Sequence, residues 1–202
     1  MKSRLIKADL MSKQVTSLKT ALQQGFTLIE LIMVMSIVAI LASVAVPSFS
    51  SMNAAQEVAG VAQTIQQHLL YARSEAIKQN ADIHLSFTTG TNWCMGYSDN
   101  GACTCSTVSS CEINTKDLDP STDIEKRISA NDYSNITLTT SGTLNLSGAN
   151  FNPTRGAVLR SGAALNDGSI TVTSGSNAAT ININVLGRPN ICSSSLSQFS
   201  NC

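Results

Sequence analysis

A run of apolar residues near the start of the chain constrains the fold more than any other feature of the sequence. It extends from Phe26 to Val46 and is interrupted only by Thr27, Glu30, Ser36 and Ser43. A helix rises about 1.5 Å per residue, so a helix of this length spans roughly the 30 Å hydrocarbon layer of a bilayer. The run continues directly into Pro47 and shows no A-x-A cleavage site of a secretory signal peptide. We therefore expect a membrane-spanning helix.

Glu30 is an unusual residue for such a helix. A carboxylate costs about 2.5–3.5 kcal/mol at the centre of a membrane segment and less near an end. Glu30 could reach the cytoplasmic interface, which would make the segment a simple anchor. Alternatively, cleavage between Gly25 and Phe26 would create an α-amine with a pKa of about 7.7–8.0, largely protonated at neutral pH. That amine, on the same helix or on an adjacent copy, would pair with Glu30 and could fix the register between subunits.

The charges of the chain are divided between its two ends. Residues 1–25 hold five basic residues and one acid, a net charge of +4, and the remainder carries −4. Basic residues next to a membrane segment stay in the cytoplasm, so the rest of the chain is expected to be exported. Translation could start at Met1 or at Met11, and the shorter leader has the same character.

After Pro47 the apolar residues recur at steps of three and four, a period typical of an amphipathic helix. They are Val58, Val61, Ile65, Leu69, Ala72 and Ala76. One long helix is predicted over residues 26–79, with Pro47 kinking it and Asn80 as its C-cap.

Short runs of alternating apolar and polar residues follow the helix, and they predict an antiparallel β-sheet or a pair of sheets. These runs centre on Ile83–Phe87, Ile136–Leu138, Leu144–Leu146, Ile170–Val172 and Ile181–Val185. The predicted fold is α+β, with the kinked helix packed on a β-rich head. We divide the chain into a leader (1–25), an apolar helix half (26–47), an amphipathic half (48–80) and the head (81–202). Within the head, residues 98–123 are predicted to form a loop without strands.

Six cysteines lie in the predicted head, where an oxidising environment favours disulfides. Cys192 and Cys202 enclose a short loop and are the expected pair. The other four allow three pairings that the sequence does not separate: Cys94, Cys103, Cys105 and Cys111. Their spacing fits no common zinc site, and neither His68 nor His84 is near them in sequence. No metal is predicted.

Few other residues suggest a site. Asp117, Asp119, Ser121 and Asp123 alternate as in a calcium loop, but the glycine and the bidentate glutamate of that loop are missing. Both histidines are expected to be structural or exposed. The sequence has no catalytic or phosphate-binding motif, so neither an enzyme nor a cofactor is predicted.

The stretch Gly25-Phe26-Thr27-Leu28-Ile29-Glu30 resembles the signal of type IV pilins and type II secretion pseudopilins. The resemblance extends to the apolar run and Pro47. It implies that a prepilin peptidase removes residues 1–25 and methylates the amine of Phe26. The segment then serves as an inner-membrane anchor and later as the core of a filament. In that filament Glu30 pairs with the Phe26 amine of a neighbouring subunit.

The rest of the chain resembles the FimU, GspH and FimT group of minor pilins and pseudopilins. The resemblance lies in Tyr71–Lys78, Trp93 with Gly96-Tyr97, Phe151–Gly156 and Gly187-Arg188. We expect structural roles for these residues: Trp93 fills the core, the glycines turn the chain, and Arg73 or Glu75 is solvated.

The function that this resemblance implies is that of a minor type IV pilin, which primes pilus assembly and lies at the pilus tip. Its partners would be the prepilin peptidase, other minor pilins, the major pilin and the inner-membrane assembly platform. The head would be periplasmic at first and later at the cell surface.

Two alternatives stay open at this point. A GspH-type pseudopilin of the type II secretion system shares the same motifs, so its partners would be other pseudopilins. A FimT-type pilin binds DNA through a basic C-terminal motif, whose second arginine is missing after Gly187-Arg188. Since DNA binding depends on neutralising phosphates, a processed chain of net charge −4 is not expected to bind nucleic acid.

Overall fold

The computed structural model of the chain describes residues 25–114, 124–133, 135–142, 149–160, 163–164 and 168–202. The chain divides into two compact units, one ending at Phe49 and the other comprising Ser50–Cys202. Three predictions fall outside the described residues: the structure of the leader before Gly25, the alternating acids of 117–123 and the strand at Leu144–Leu146.

The long helix α1 comprises Leu28–Gln79. In the second unit the predicted apolar stripe is confirmed, because all six of its side chains are fully buried. Asn80 follows the helix with a φ of 50°, and the N–H of Ala81 donates to the carbonyl of Ala76 at 3.2 Å. This left-handed residue with its 6→1 hydrogen bond is a Schellman C-cap, as predicted for Asn80.

The β-strands within the described residues form three antiparallel sheets. One has the order β5-β2-β1-β7-β8-β9, the second has β12-β11-β10-β6, and the third pairs β3 with β4. The bounds are β1 Ile83–Thr88, β2 Cys94–Ser98, β3 Glu112–Ile113, β4 Ile124–Glu125, β5 Arg127–Ser129, β6 Thr137–Gly142, β7 Ala149–Phe151, β8 Val158–Arg160, β9 Ala163–Ala164, β10 Gly168–Ser174, β11 Asn177–Ile183 and β12 Pro189–Cys192. A single 3₁₀ turn, Ala130–Asp132, follows β5 among these described elements.

The predicted α+β fold is confirmed, with differences at the level of single strands. Ile136 precedes β6, and Val185 lies beyond β11 in an exposed turn. The prediction that residues 98–123 lack strands is wrong at Glu112–Ile113, which pair with β4. A two-residue strand is too short to produce a visible alternation in the sequence.

The core of the second unit lies between the buried stripe of α1 and the inner faces of the two larger sheets. Trp93, Tyr97 and Phe151 are its largest fully buried side chains. In β10 every second residue is buried, so Ile170 and Val172 face the core. Burial of this apolar surface is the main term that stabilises the unit.

Three disulfides tie the loops of the head. Cys94 is joined to Cys105 and Cys103 to Cys111, which is one of the three pairings that the sequence left open. Cys192 is joined to Cys202, so the C-terminal segment is fastened to the last strand.

Candidate assembly site at the start of the helix

The predicted cleavage and pairing residues lie together where α1 begins. Gly25, Phe26 and Thr27 precede the helix, and the Phe26 side chain is 83% exposed. The hydroxyl of Thr27 accepts a hydrogen bond from the N–H of Glu30 at 3.3 Å, and its carbonyl accepts from the N–H of Leu31 at 3.2 Å. Thr27 is therefore the N-cap of α1, which satisfies one of the N–H groups that a helix leaves free at its start.

This capping role was missed in the sequence, although the signal was present. Thr27 and Glu30 stand three residues apart, the T-x-x-E spacing of a capping box, directly before an apolar run. Glu30 lies in the first turn, where the helix dipole favours a negative charge by about 0.3–1 kcal/mol. Its carboxylate can therefore stabilise the helix start even before an amine partner exists.

The first part of α1 presents a largely apolar surface. Within the described part of the chain, every side chain from Phe26 to Ala45 is exposed. Ser36 and Ser43 donate their hydroxyls to the carbonyls of Met33 and Ile40, each at 2.7 Å, so neither brings an unsatisfied donor into an apolar environment. α1 is also the helix, among the residues searched, that is long and apolar enough to cross a membrane. Glu30 is the one ionisable side chain on this surface.

Pro47 lies within α1, and its side chain is outside the described residues. The kink that we predicted there stays a prediction.

A junction in the second unit brings together three of the segments that carry the family resemblance. Arg73 on α1 donates from Nε to the carbonyl of Gly156 at 3.1 Å and from Nη2 to that of Arg155 at 3.4 Å. Gly187 lies against the same Gly156 carbonyl and against the ring of Phe151. These contacts fasten the helix to two turns of the head, so the shared motif residues hold the fold together.

We expected that Arg73 or Glu75 would be solvated, and for Glu75 this is wrong. Its side chain is 7% exposed and accepts hydrogen bonds from Lys78 Nζ at 3.2 Å and Gln79 Nε2 at 3.1 Å. Burial would raise the pKa of Glu75, but the hydrogen bonds from Gln79 and Lys78 outweigh burial and the pKa lies below its usual value. The sequence pattern placed this residue beside the apolar stripe without showing that its partners lie one turn further on.

His68 and its neighbours pack the last third of α1 against the head. Its ring meets Tyr97 edge-on with 5.8 Å between centroids, and Lys126 Nζ lies 4.5 Å from the centre of the Tyr71 ring. Burial lowers the pKa of His68, and the charge of Lys126 lowers it further. His68 therefore contributes here as a neutral packing residue. Among the described residues, no cluster of three or more acidic, histidine or cysteine side chains could hold a metal ion.

Comparison with known proteins agrees with this arrangement. A family model described as a prokaryotic N-terminal methylation motif matches residues 21–46, which contain the candidate cleavage site and Glu30. Together with the long apolar helix and the antiparallel head, this motif places the chain in the class of type IV pilin-like filament subunits.

A second family model, described as type II transport protein GspH, matches residues 61–187. The chain belongs to this family of structural subunits. A solved structure, the minor pseudopilin EpsH from the type 2 secretion system of Vibrio cholerae, is 11% identical, with 68% of this chain and 97% of that chain covered at a TM-score of 0.46. No protein among those with curated descriptions matches the chain.

Proposed function

We propose that the chain is a minor type IV pilin, a structural subunit that primes pilus assembly and lies at the pilus tip. A prepilin peptidase cleaves after Gly25 and methylates the amine of Phe26, which removes the leader, residues 1–25. Residues 26–47 anchor the subunit in the inner membrane and later enter the filament core. Residues 48–80 then support the head, residues 81–202, on the periplasmic side.

One observation carries this proposal: Glu30 is the single ionisable side chain on an exposed apolar helix surface, about one turn from Phe26. An unpaired carboxylate deep in that environment would cost several kcal/mol, whereas a charged amine on a neighbouring helix removes most of the cost. The offset between Phe26 and Glu30 means that the neighbouring helix must be displaced by roughly one 5.4 Å turn along the axis. The pair therefore selects one register among many that an apolar surface alone would allow.

The partners in this proposal follow from the same surface. The apolar half of the helix packs against the corresponding helices of other minor pilins and of the major pilin, after release from the inner-membrane assembly platform. The head needs no cofactor for this role, since the subunit works through packing.

A second candidate is a GspH-type pseudopilin of the type II secretion system, favoured by the description of the family model that matches residues 61–187. Deleting the gene and assaying twitching motility and exoprotein secretion in parallel distinguishes the two. Loss of motility with normal secretion is expected for the pilin. Loss of secretion with intact pili would replace our first proposal with the second.

Substitutions at the start of the helix test the mechanism. A bulky residue in place of Gly25 should leave the leader attached, which appears as slower migration on a gel. Glu30→Gln keeps the shape of the side chain but removes its charge, so the subunit should still enter the membrane yet fail to enter sheared filaments.

Thr27→Ala is the matched control, because it removes the helix cap and leaves the Glu30 carboxylate in place. Normal incorporation of Thr27→Ala is expected. If Thr27→Ala impaired incorporation as strongly as Glu30→Gln, helix capping and not charge pairing would explain the glutamate.

A further inference from the structure

The outer face of the four-stranded sheet is built from short uncharged polar side chains. None of the residues of β6, β10, β11 and β12 carries a charge. Two rows of side chains cross the strands at paired positions and face away from the core. The first row is Asn190, Asn182, Ser169 and Ser141, and the second is Thr180, Thr171 and Thr139. We call these seven residues the polar sheet face.

Several groups of the polar sheet face are already oriented by hydrogen bonds. The hydroxyls of Ser141 and Ser169 lie 2.7 Å apart, and those of Thr171 and Thr180 lie 3.2 Å apart. Short side chains on paired strands lose little conformational entropy when they bind a ligand. Each hydroxyl can both donate and accept, so the face presents an ordered set of neutral donors and acceptors.

The first row ends in a groove of about 340 Å³, lined by Asn182, Ile183, Asn184, Arg188 and Asn190. The side chain of Asn184 holds the turn that carries Arg188, because its Oδ1 accepts from the N–H groups of Leu186 and Arg188 at 3.1 and 3.0 Å. Arg188 itself is exposed, and its guanidinium has no protein partner within the part of the chain that the structure describes. A volume of this size lies within the range of small-ligand sites.

We propose that this groove and the polar sheet face bind a glycan chain that carries carboxylate groups. Sugar hydroxyls match the neutral hydroxyls and amides of the face. A sugar carboxylate matches the planar guanidinium of Arg188, which can form two parallel hydrogen bonds with it. Val185 and Leu186 are exposed in the same turn and add apolar surface suited to the C–H side of a sugar ring.

The number of charges decides between a glycan and a nucleic acid. DNA carries one negative charge per phosphate, and its affinity depends on how many phosphates the protein neutralises. The four strands and the turn before β12 provide one cation, Arg188. A polymer with sparse carboxylates and many hydroxyls therefore fits this surface better than a polyanion does.

Titration calorimetry on the full-length protein tests the proposal, in a detergent without a sugar headgroup. The probes are a short oligogalacturonate, a neutral galacto-oligosaccharide of the same length and a single-stranded DNA oligonucleotide. The oligogalacturonate should bind most tightly. Arg188→Gln should weaken its binding by roughly 10- to 100-fold, the value of one charge-assisted contact, and should leave the weak binding of the neutral sugar unchanged. Asn190→Ala should weaken the binding of both sugars.

Arg155→Gln is the matched control, because Arg155 is an exposed arginine on a different turn and its loss changes the net charge equally. It should leave binding unchanged. Three results would each overturn the proposal. They are equal effects of the two arginine substitutions, tighter binding of DNA than of oligogalacturonate, and no binding of either sugar by the unsubstituted protein with normal Trp93 emission and intact disulfides.

Discussion

Replacement of Gly187 by alanine should destabilise the second unit by far more than an ordinary glycine substitution. Gly187 has a φ of 70°, and a Cβ built on it would overlap the backbone carbonyl oxygen of Gly156 and lie 3.0 Å from the ring of Phe151. A backbone carbonyl in the Arg73 junction cannot rotate away as a flexible side chain can. Two costs therefore add at this position: the strain of a left-handed alanine and the displacement of a packed turn.

Two other glycines separate these costs. Gly175, in the turn between β10 and β11, has a φ of 58°, but a Cβ built on it would meet nothing within 4 Å. Gly175→Ala should therefore show the backbone strain alone, about 1–2 kcal/mol. Gly60 lies in α1, is exposed and meets nothing within 4 Å, so Gly60→Ala should stabilise by about 0.5–1 kcal/mol.

For Gly187→Ala the overpacking of the junction adds about 1–3 kcal/mol to the strain, a total of about 2–5 kcal/mol. For a unit of this size, 1 kcal/mol shifts the Tm by about 2–4 °C, so a fall of roughly 5–15 °C is expected. Trp93 is the single tryptophan of the chain and is 1% exposed. Its emission therefore reports unfolding of the second unit, even when the apolar helix half stays in a micelle.

The order of the three variants is the test. Gly60→Ala should unfold at the highest temperature, Gly175→Ala lower and Gly187→Ala lowest. If Gly187→Ala unfolded at the same temperature as Gly175→Ala, the closeness of the Gly156 carbonyl would contribute nothing, and the tight junction described above would be refuted.

Two further predictions concern pH and the C-terminal disulfide. Burial lowers the pKa of His68 in the folded chain. Below a pH of about 6.5 the unfolded chain therefore binds a proton at His68 more readily than the folded chain does. The urea midpoint should fall as the pH is lowered through this range. His68→Gln should flatten this part of the profile, and a profile identical to that of the parent protein would contradict the assignment. Replacing both Cys192 and Cys202 by serine releases a short closed loop and should cost about 2–3 kcal/mol in the same urea assay. An unchanged midpoint would show that the other contacts of the C-terminal segment hold it without the disulfide, such as the hydrogen bonds of Ser193 and Ser195 with Ala178.

The sequence was a good guide wherever one repeated pattern determines the structure. The spacing of Val58, Val61, Ile65 and Leu69 identified both a helix and its buried side, because helical geometry places residues three and four apart on one face. Alternation in β10 and β11 likewise identified which side chains point inward.

Contacts between distant parts of the chain follow no such pattern. Arg73 donates to carbonyls 82 and 83 residues away, and no periodicity relates a helix residue to a turn carbonyl. The polar sheet face could not be predicted for the same reason. Alternation shows which residues point outward, but it does not show that β6 lies beside β10. Glu75 was misjudged for a different reason. A carboxylate beside an apolar stripe is normally solvated, but here two donors lie three and four residues further along the same helix.

Glu30 shows how an argument from the cost of burying a charge can miss half of the local chemistry. The free-energy cost of a carboxylate in a membrane segment indicated a cationic partner. This argument did not require us to know where the helix begins. The structure places that beginning at Leu28, which makes Thr27 the cap and Glu30 the third helical residue. The Thr27 hydroxyl accepts from the backbone N–H of Glu30, so this hydrogen bond does not involve the carboxylate of Glu30. In the function that we propose, the same glutamate would stabilise the helix start in the precursor and bind an amine once cleavage has produced one.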